Sequence, residues 1–428
     1  MKFDEKLKAF SQGKWFILFL IIVPSCLLMA VDKQAMVIQA PQIRNEFHFS
    51  IVEMTEIIAA STWAYAFFQL PAGMLCERFG SMLMLAIACL TWSFFVLLIP
   101  FSSTIIGFLA FRFMMGFGQS PDWIASIMII HKKFQTEQKG KANSILLSAL
   151  YLGTVIGGPI SLWITAHSRW EDSFFVFGVL GIFLSLFIFL VWRKSRPDID
   201  LPSQGKEIQE TAPSVPGYRR ILRSSQVISI GLSYFFVVGI QSFFNTLLPM
   251  YLIDVRHMSL VSMGWIASLP FLFLYVSVVV NGVISDYIIK KTKSPWYARV
   301  PMGVAGLSGG AIFLFSALST TETWPMMTCL CMSLFMVGLA QVSVWSSIHD
   351  ISPIGSGRIT GWTQFLGNLA GGVVPVICSF IARYGSGWNE VRYLIVASGV
   401  CGVVAFLFIR PQHPITYDSL NNESITIS

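Results

Sequence analysis

The stretch FRFMMGFGQSPDWIAS, residues 111–126, places an arginine, a glutamine and an aspartate inside a run from Thr104 to Ile130 that is otherwise apolar or small. Arg112 and Gln119 are seven residues apart, so on a helix they lie within about 20° of each other and share a face. A guanidinium beside a neutral amide suits an anionic ligand. The fork donates several hydrogen bonds, and its charge is poorly screened at low dielectric. Asp122 lies about 60° around the helix from Gln119 and about 80° from Arg112. It is near enough to that face to carry a proton if the helix is rotated or broken at Pro121; otherwise it faces a neighbouring helix and anchors it. A second pair, Asp32 and Lys33, interrupts an apolar run near residues 15–38. A charge at the centre of a membrane helix costs roughly 2.5–3.5 kcal/mol on insertion scales, so such groups face a water-filled cavity or a partner.

The elements that must position these groups follow from composition. Over 428 residues, 54% are hydrophobic and only 12% charged, with a mean hydropathy of +0.67, which is the signature of an integral membrane protein. Apolar runs of about 20 residues, the length that spans hydrocarbon, recur near 15–38, 52–72, 81–101, 104–130, 142–165 and 172–193. Six more follow near 227–252, 262–289, 298–319, 325–347, 358–382 and 391–409. The prediction is an all-α protein of twelve transmembrane helices in two parallel six-helix repeats. The bundles are expected at 1–194 and 226–410, with a cytoplasmic linker at 195–225 and a tail at 411–428. The first run is too long for a signal-peptide core and lacks a small-residue cleavage site, so it is expected to stay in the mature chain.

Of the 29 Lys and Arg, 22 fall on the side that holds both termini and five on the other (Arg44, Arg169, Arg256, Arg383, Arg392). The positive-inside rule then makes both termini cytoplasmic. The net charge of +7 is mostly topogenic, and no cluster reads as a nucleic-acid patch. The seven cysteines fall in or at the edge of helices and read as buried thiols, neither a disulfide framework nor a metal site. Among the histidines only His349, next to Asp350, has a notable neighbour, and neither metal nor cofactor is expected. Asn422 opens a glycosylation sequon, but on the cytoplasmic tail, where it should be unmodified.

Internal repetition supports the division. GTVIGGPI places glycines at 153, 157 and 158, and GNLAGGVVP places them at 367, 371 and 372, each displaced by 214. Gly73, Glu77 and Arg78 in GMLCERFG are echoed by Gly282 and Asp286 in GVISDYIIKK. Close glycine packing explains either motif alone, but not the shared offset. Parallel repeats of six helices mark one large class of secondary transporters, with the binding site near the midplane.

With these residues in place, the chain resembles the major facilitator superfamily. GMLCERFGS looks like its loop motif G-x-L-x-D-R-x-G-R, with Glu77 for Asp and Ser81 for the last basic residue. More narrowly, VDKQAM, STWAYAFFQLPAG, RFMMGFGQSP, RWEDSFFVFGVLG, FFNTLLPMYL and GWTQFLGNLAGG resemble the anion:cation symporter family. That family includes bacterial importers of sugar acids and vesicular carriers of glutamate and sialic acid. The resemblance implies that Arg112 binds a substrate carboxylate or serves coupling, that Tyr65 lines the pocket, and that Asp32 titrates protons. Lys33 replaces the usual arginine, keeping charge but losing the planar bidentate grip. Gln119 stands where a proton-carrying glutamate is frequent. Leu150 and Ala30 replace a glutamine and a tyrosine, implying a pocket less polar than a sugar-acid pocket.

Trp345 and Gln364 match cavity-lining positions, unless they simply pack. Phe244, Asn245 and Asn281 are further substrate-binding candidates. Gly73, Glu77, Arg78 and Asp286 form either a charge-linked cytoplasmic gate or a topogenic cluster. The expectation is a monomeric secondary transporter in a bacterial inner membrane, moving a small organic anion with protons by alternating access. A proton-driven exporter of an amphipathic compound, such as a siderophore or drug, is the alternative. No nucleotide-binding loop, metal-ligand spacing or nucleophile elbow occurs, which argues against an ATP-driven pump and an enzyme.

Overall fold

The computed structural model describes residues 13–134, 136–199, 224–351, 356–385 and 387–412. Among them run twelve long helices and no strand. They are α1 Lys14–Phe47, with a π-helical turn at Leu18–Ile22; α2 Ile51–Phe79; α3 Ser81–Leu98; α4 Ile105–Lys133; α5 Thr136–His167; and α6 Trp170–Ile199. Then follow α7 Ser225–Asp254, with a π-helical turn at Phe243–Leu247; α8 Leu260–Thr292; α9 Pro295–Ser319; α10 Thr323–Ile351; α11 Ser356–Tyr384; and α12 Trp388–Leu407. The linker core and the C-terminal tail, Asn422 included, lie outside the described residues, as do the side chains of Asp286 and His349.

Ten of these helices are long and apolar enough to cross a membrane by length and composition. The two that fall short are α2 and α4, each 29 residues. At 1.5 Å per residue each is about 43 Å long, so length is not the reason. These two helices carry Tyr65, Arg112, Gln119 and Asp122, and their polar interiors lower the average.

Local chemistry sets the helix ends. Ser50 and Glu53 form a reciprocal capping box at the start of α2, closing two backbone donors that would otherwise be orphaned. The Thr104 hydroxyl accepts from the Gly107 N–H at the start of α4. A single residue, Gly80, joins α2 to α3 with φ +92°, a conformation in which a Cβ is strained. α1 continues through Pro41 to Phe47, well past its apolar run; Gln39, Ala40, Pro41 and Ile43 are buried there, with Gln39 donating to Thr165 Oγ1, and Asn45 and Glu46 at the end are exposed.

Pro121 does not break α4. A proline there leaves the Phe117 carbonyl without its helical donor, and the Ser120 hydroxyl donates to that carbonyl at 2.8 Å.

By their contacts the residues form two compact units, Met1–Glu207 with Leu248–Ser268, and Ile208–Leu247 with Leu269–Ser428. In the first, α1 packs on α5, α3 on α4 and α6, and α2 on α4. In the second, α7 packs on α11, and α9 on α10 and α12. Three of these four pairings, α1 on α5 and α3 on α4 and α6, therefore recur six helices later, as the 214-residue offset implies. The offset glycines serve equivalent contacts: a Cβ on Gly153 of α5 would lie 2.5 Å from the Leu27 carbonyl oxygen of α1, and one on Gly367 of α11 would lie 2.3 Å from the Tyr234 ring of α7.

The outer turn of α7 and the start of α8 belong to the first unit because of what they touch. Asp254 receives both terminal nitrogens of Arg44, Leu162 occupies the space beside Gly264, and Ser268 lies against Gly158.

The tightest approach in the first unit sets α4 on α2. A Cβ on Gly116 would stand 2.1 Å from the Ser61 carbonyl oxygen, a backbone atom that cannot turn aside. Gly116→Ala is expected to cost about 1–3 kcal/mol, the scale of overpacking, and to weaken ligand binding by moving Ser61 from Arg112. Thermal unfolding in detergent, with and without ligand, checks this; unchanged values in both would refute it.

Candidate functional site

Arg112 is 1% exposed on α4, and α2 supplies its seat. Its Nη2 donates to Ser61 Oγ at 2.8 Å and to the Ile58 carbonyl at 3.3 Å, while Nη1 reaches the Met115 thioether at 3.1 Å. The Ser61 hydroxyl in turn donates to the Ile58 carbonyl. Nε has no partner. The guanidinium is thus oriented from one side by neutral acceptors, and its charge is left without a contact ion pair. A thioether is a weak acceptor, so Nη1 also keeps donor strength in reserve.

Two turns along the same face, Gln119 is fully buried, and neither its amide nitrogen nor its amide oxygen has a partner. A buried amide with both functions unmatched is costly in a finished core. Here its donors and its acceptor are left open two turns along the helix from a cation.

Asp32 on α1 is 1% exposed, and neither carboxylate oxygen has a well-formed hydrogen bond. The Arg112 charge and the Trp92 indole of α3 are the groups within electrostatic reach of it. Its neighbour Lys33 is half-buried, with its ammonium 4.5 Å from the centroid of the Tyr65 ring of α2. A cation over an aromatic face keeps its charge while shedding part of its hydration. Lys33 also lies within charge range of Arg112 and Asp122.

Asp122 turns toward α1, where the Ser25 hydroxyl donates to its Oδ1 at 2.5 Å. Its Oδ2 is buried and without a partner. The helix needs no break at Pro121 for this contact. Asp32, Lys33, Tyr65, Arg112, Gln119 and Asp122 therefore sit on three helices of one unit. Gly116 against Ser61 holds α4 on α2, Gly118 against the Trp92 backbone nitrogen holds α4 on α3, and the Ser25–Asp122 hydrogen bond ties α1 to α4.

The remaining sequence candidates are placed differently. Phe244, buried, and Asn245, half-buried, lie in the π-helical turn of α7, and Phe244 stacks edge-on against Phe243. Trp345 meets Tyr234 edge-to-face at 5.0 Å, and Gln364 is half-buried on α11. Asn281 donates to the Leu339 carbonyl at 2.6 Å and to Ser343 Oγ at 3.4 Å, tying α8 to α10. Gly73 packs loosely, its nearest neighbour being Ile124. Glu77 and Arg78 are exposed and outside the three ion pairs among the described residues.

Ala30 belongs to helix packing. Its Cβ lies against Gly153, so its small size serves the α1–α5 contact and says nothing about pocket polarity.

Sequence reasoning missed Ser61, Ser25 and Trp92. Single serines in apolar helices carry no spacing signal, and a tryptophan in a membrane helix has many uses. It also missed Arg44–Asp254 and the Arg299–Asp350 pair at 2.9 Å, whose partners are distant in the chain.

Comparison with known proteins follows this geometry. The family model of the Major Facilitator Superfamily matches residues 18–375. Among curated proteins, the chain is 28% identical to the "Probable galactarate/D-glucarate transporter GarP" of Escherichia coli (strain K12), covering 95% of this chain and 96% of that one. It is 26% identical to the "Hexuronate transporter" of Bacillus subtilis (strain 168), over 95% and 96%. It is 24% identical to the "D-galactonate transporter" of Escherichia coli O6:H1, over 95% and 98%. A crystal structure of a bacterial homolog to the human lysosomal transporter Spinster, inward-facing and unoccupied, matches with a TM-score of 0.76. It covers 92% of this chain and 96% of that one at 15% identity, which speaks to the fold alone. The family match spans most of the chain and the fold agrees throughout, so this multi-pass membrane protein belongs to the Major Facilitator Superfamily and is a transporter rather than an enzyme.

Proposed function

We propose that the protein imports a small organic anion, a carboxylate, together with protons by alternating access. It would do so across a bacterial cytoplasmic membrane, as a monomer with both termini in the cytoplasm. The observation that carries this reading is the buried Arg112. Neutral acceptors hold it on one side, its Nε is unmatched, and it shares a helix face with an amide whose donor and acceptor are both unmatched. A carboxylate satisfies the guanidinium, and a hydroxyl beside it satisfies Gln119, which can give and take a hydrogen bond.

The three relatives described above are sugar-acid transporters by name, which supports an oxygen-rich acid. The less polar pocket expected from sequence now rests on Leu150 alone.

In this proposal Asp32 carries the coupling proton, Asp122 assists, and Lys33 and Tyr65 contribute to the ligand's charge environment. Phe244, Asn245, Trp345 and Gln364 are kept as cavity-lining candidates and Asn281 as a weaker one. Gly73, Glu77, Arg78 and Asp286 are kept as the cytoplasmic gate.

The test uses purified protein in proteoliposomes. With an inwardly directed proton gradient, D-galactonate or D-glucuronate should accumulate, and in weakly buffered medium its entry should make the outside alkaline. Acid-driven expulsion of an amphipathic compound, with no uptake of any carboxylate, would instead establish the exporter reading.

A further inference from the structure

We infer that the Arg44–Asp254 ion pair is a latch. It clamps a preformed hairpin, the end of α7 with the start of α8, onto the first unit, and it must open once in every transport cycle. This rests on the alternating-access reading above and adds to it a contact that one step of the cycle has to break.

The pair joins the last turn of α1 to the last residue of α7, with Nη1 donating to Oδ2 and Nη2 to Oδ1. The two side chains are 15% and 24% exposed, so salt screens them less than it screens charges on an open surface. Arg44 suits its own helix, because a cation is favoured where the last carbonyls point. Its carbonyl accepts from the N–H groups of both His48 and Phe49, which fixes the turn that carries it. Asp254 does not suit its own helix. A carboxylate at a helix C-terminus meets the same carbonyl dipoles with the wrong sign, and Arg44 supplies the compensating charge.

The segment Leu248–Ser268 packs with the first unit, while the rest of α7 and α8 packs with the second. Both changes of allegiance fall inside helices, and each falls at a defect. In α7 the segment begins directly after the π-helical turn Phe243–Leu247. In α8 it ends at Ser268, two residues before Pro270, whose ring nitrogen leaves the Ile266 carbonyl without its helical donor. Prolines and π-helical turns are where helices bend.

Between these two points the hairpin holds itself together. His257, at φ +51°, turns the chain out of α7, and its N–H donates to the Ile253 carbonyl while that of Met258 donates to the Leu252 carbonyl. The Ser259 hydroxyl accepts from the Ser262 N–H at 3.3 Å and caps the start of α8. A piece with its own caps, bounded by two helix defects, can swing as one body. Leu162 beside Gly264 and Ser268 against Gly158 are packing contacts that can slide, whereas the bidentate ion pair is directional and has to break.

The experiment measures how often the hairpin leaves the first unit. Ser268 is 2% exposed, against Gly158, so Ser268→Cys reports its release. Proteoliposomes are treated with a membrane-impermeant maleimide after Cys401, an exposed native cysteine, has been replaced by serine, and modification at position 268 is followed by peptide mass. Labelling should be slow with the pair intact and at least about tenfold faster in Arg44→Ala and in Asp254→Asn, the scale of losing one partner of a partly desolvated pair. Exchanging the charges, Arg44→Asp with Asp254→Arg, should return the rate to within about threefold of the intact pair. If Arg44→Ala is not recovered folded, Asp254→Asn, which keeps size and polarity, carries the comparison.

A second measurement joins Arg44→Cys to Asp254→Cys with a short bis-thiosulfonate. The joined protein should lose uptake and exchange at least about tenfold and recover both on reduction. Labelling unchanged in Asp254→Asn, or a joined protein that transports at the unjoined rate, overturns the latch and leaves a static tie. Labelling needs no substrate. Failure of the unaltered protein to take up any carboxylate therefore overturns the reading beneath, while the labelling rates still decide the latch.

Discussion

Arg112→Ala is expected to abolish saturable binding and uptake of the anion, and Arg112→Lys to do little better. Removing one partner of a desolvated charge pair costs about 2–5 kcal/mol, which at 1.4 kcal/mol per decade is a loss of roughly thirtyfold to several thousandfold in affinity. Lysine retains the charge but not the geometry. The guanidinium is oriented by two donors on one nitrogen, to Ser61 Oγ and the Ile58 carbonyl, and an ammonium cannot make those contacts and present a planar fork to a carboxylate at once. Ser61→Ala should reproduce a small part of the effect, about fivefold from roughly 1 kcal/mol of lost hydrogen bonding. Isothermal titration or ligand-induced thermal stabilisation reads the affinities. An Arg112→Ala protein that binds and transports normally would show that the anion is held elsewhere.

Loss of accumulation without loss of exchange is the expected phenotype of Asp32→Asn. A coupling carboxyl must gain and lose a proton in every cycle, so neither form can be locked. Asp32 is buried, and neither of its oxygens has a well-formed hydrogen bond, so no fixed partner locks the carboxyl in one form. Asparagine removes the proton site while keeping size and polarity. In proteoliposomes, uptake against a gradient should fall to background, while exchange of internal for external anion continues within a few-fold of the unaltered rate. Proton-driven accumulation that persists in Asp32→Asn would move the coupling role to Asp122 or outside the cluster.

The twelve-helix plan and the polar site on α4 were legible because hydrocarbon imposes strict rules on a chain. Spans need length and apolarity, and charges within them need a reason. Arg112, Gln119, Asp32 and Lys33 stood out against that background, and the 214-residue offset of the glycines announced a repeat that the helix pairings then displayed. Helix ends were less legible. α1 outran its apolar run because the residues beyond it are packed in the protein: Gln39, Pro41 and Ile43 are buried, and the Gln39 amide donates to Thr165 and Ser173.

Ala30 shows where residue-by-residue reading fails. Its size answers to Gly153 on another helix, not to a ligand. Asn281 makes the same point, since its amide is engaged by the Leu339 carbonyl and Ser343, 58 and 62 residues away.

From sequence alone came the medium the protein lives in, the number and repeat of its helices and the identity of its unusual charges, since each depends on composition, run length or spacing. Only the tertiary structure decided how those charges are held: Ser61 and Ile58 under Arg112, Ser25 on Asp122, Tyr65 beneath Lys33, and no hydrogen bond on Asp32. Hydrogen bonds and charge balance are properties of atoms a few ångströms apart in space, and packing between helices, with glycines such as Gly116 setting the approach, brings together groups that the chain keeps tens of residues apart.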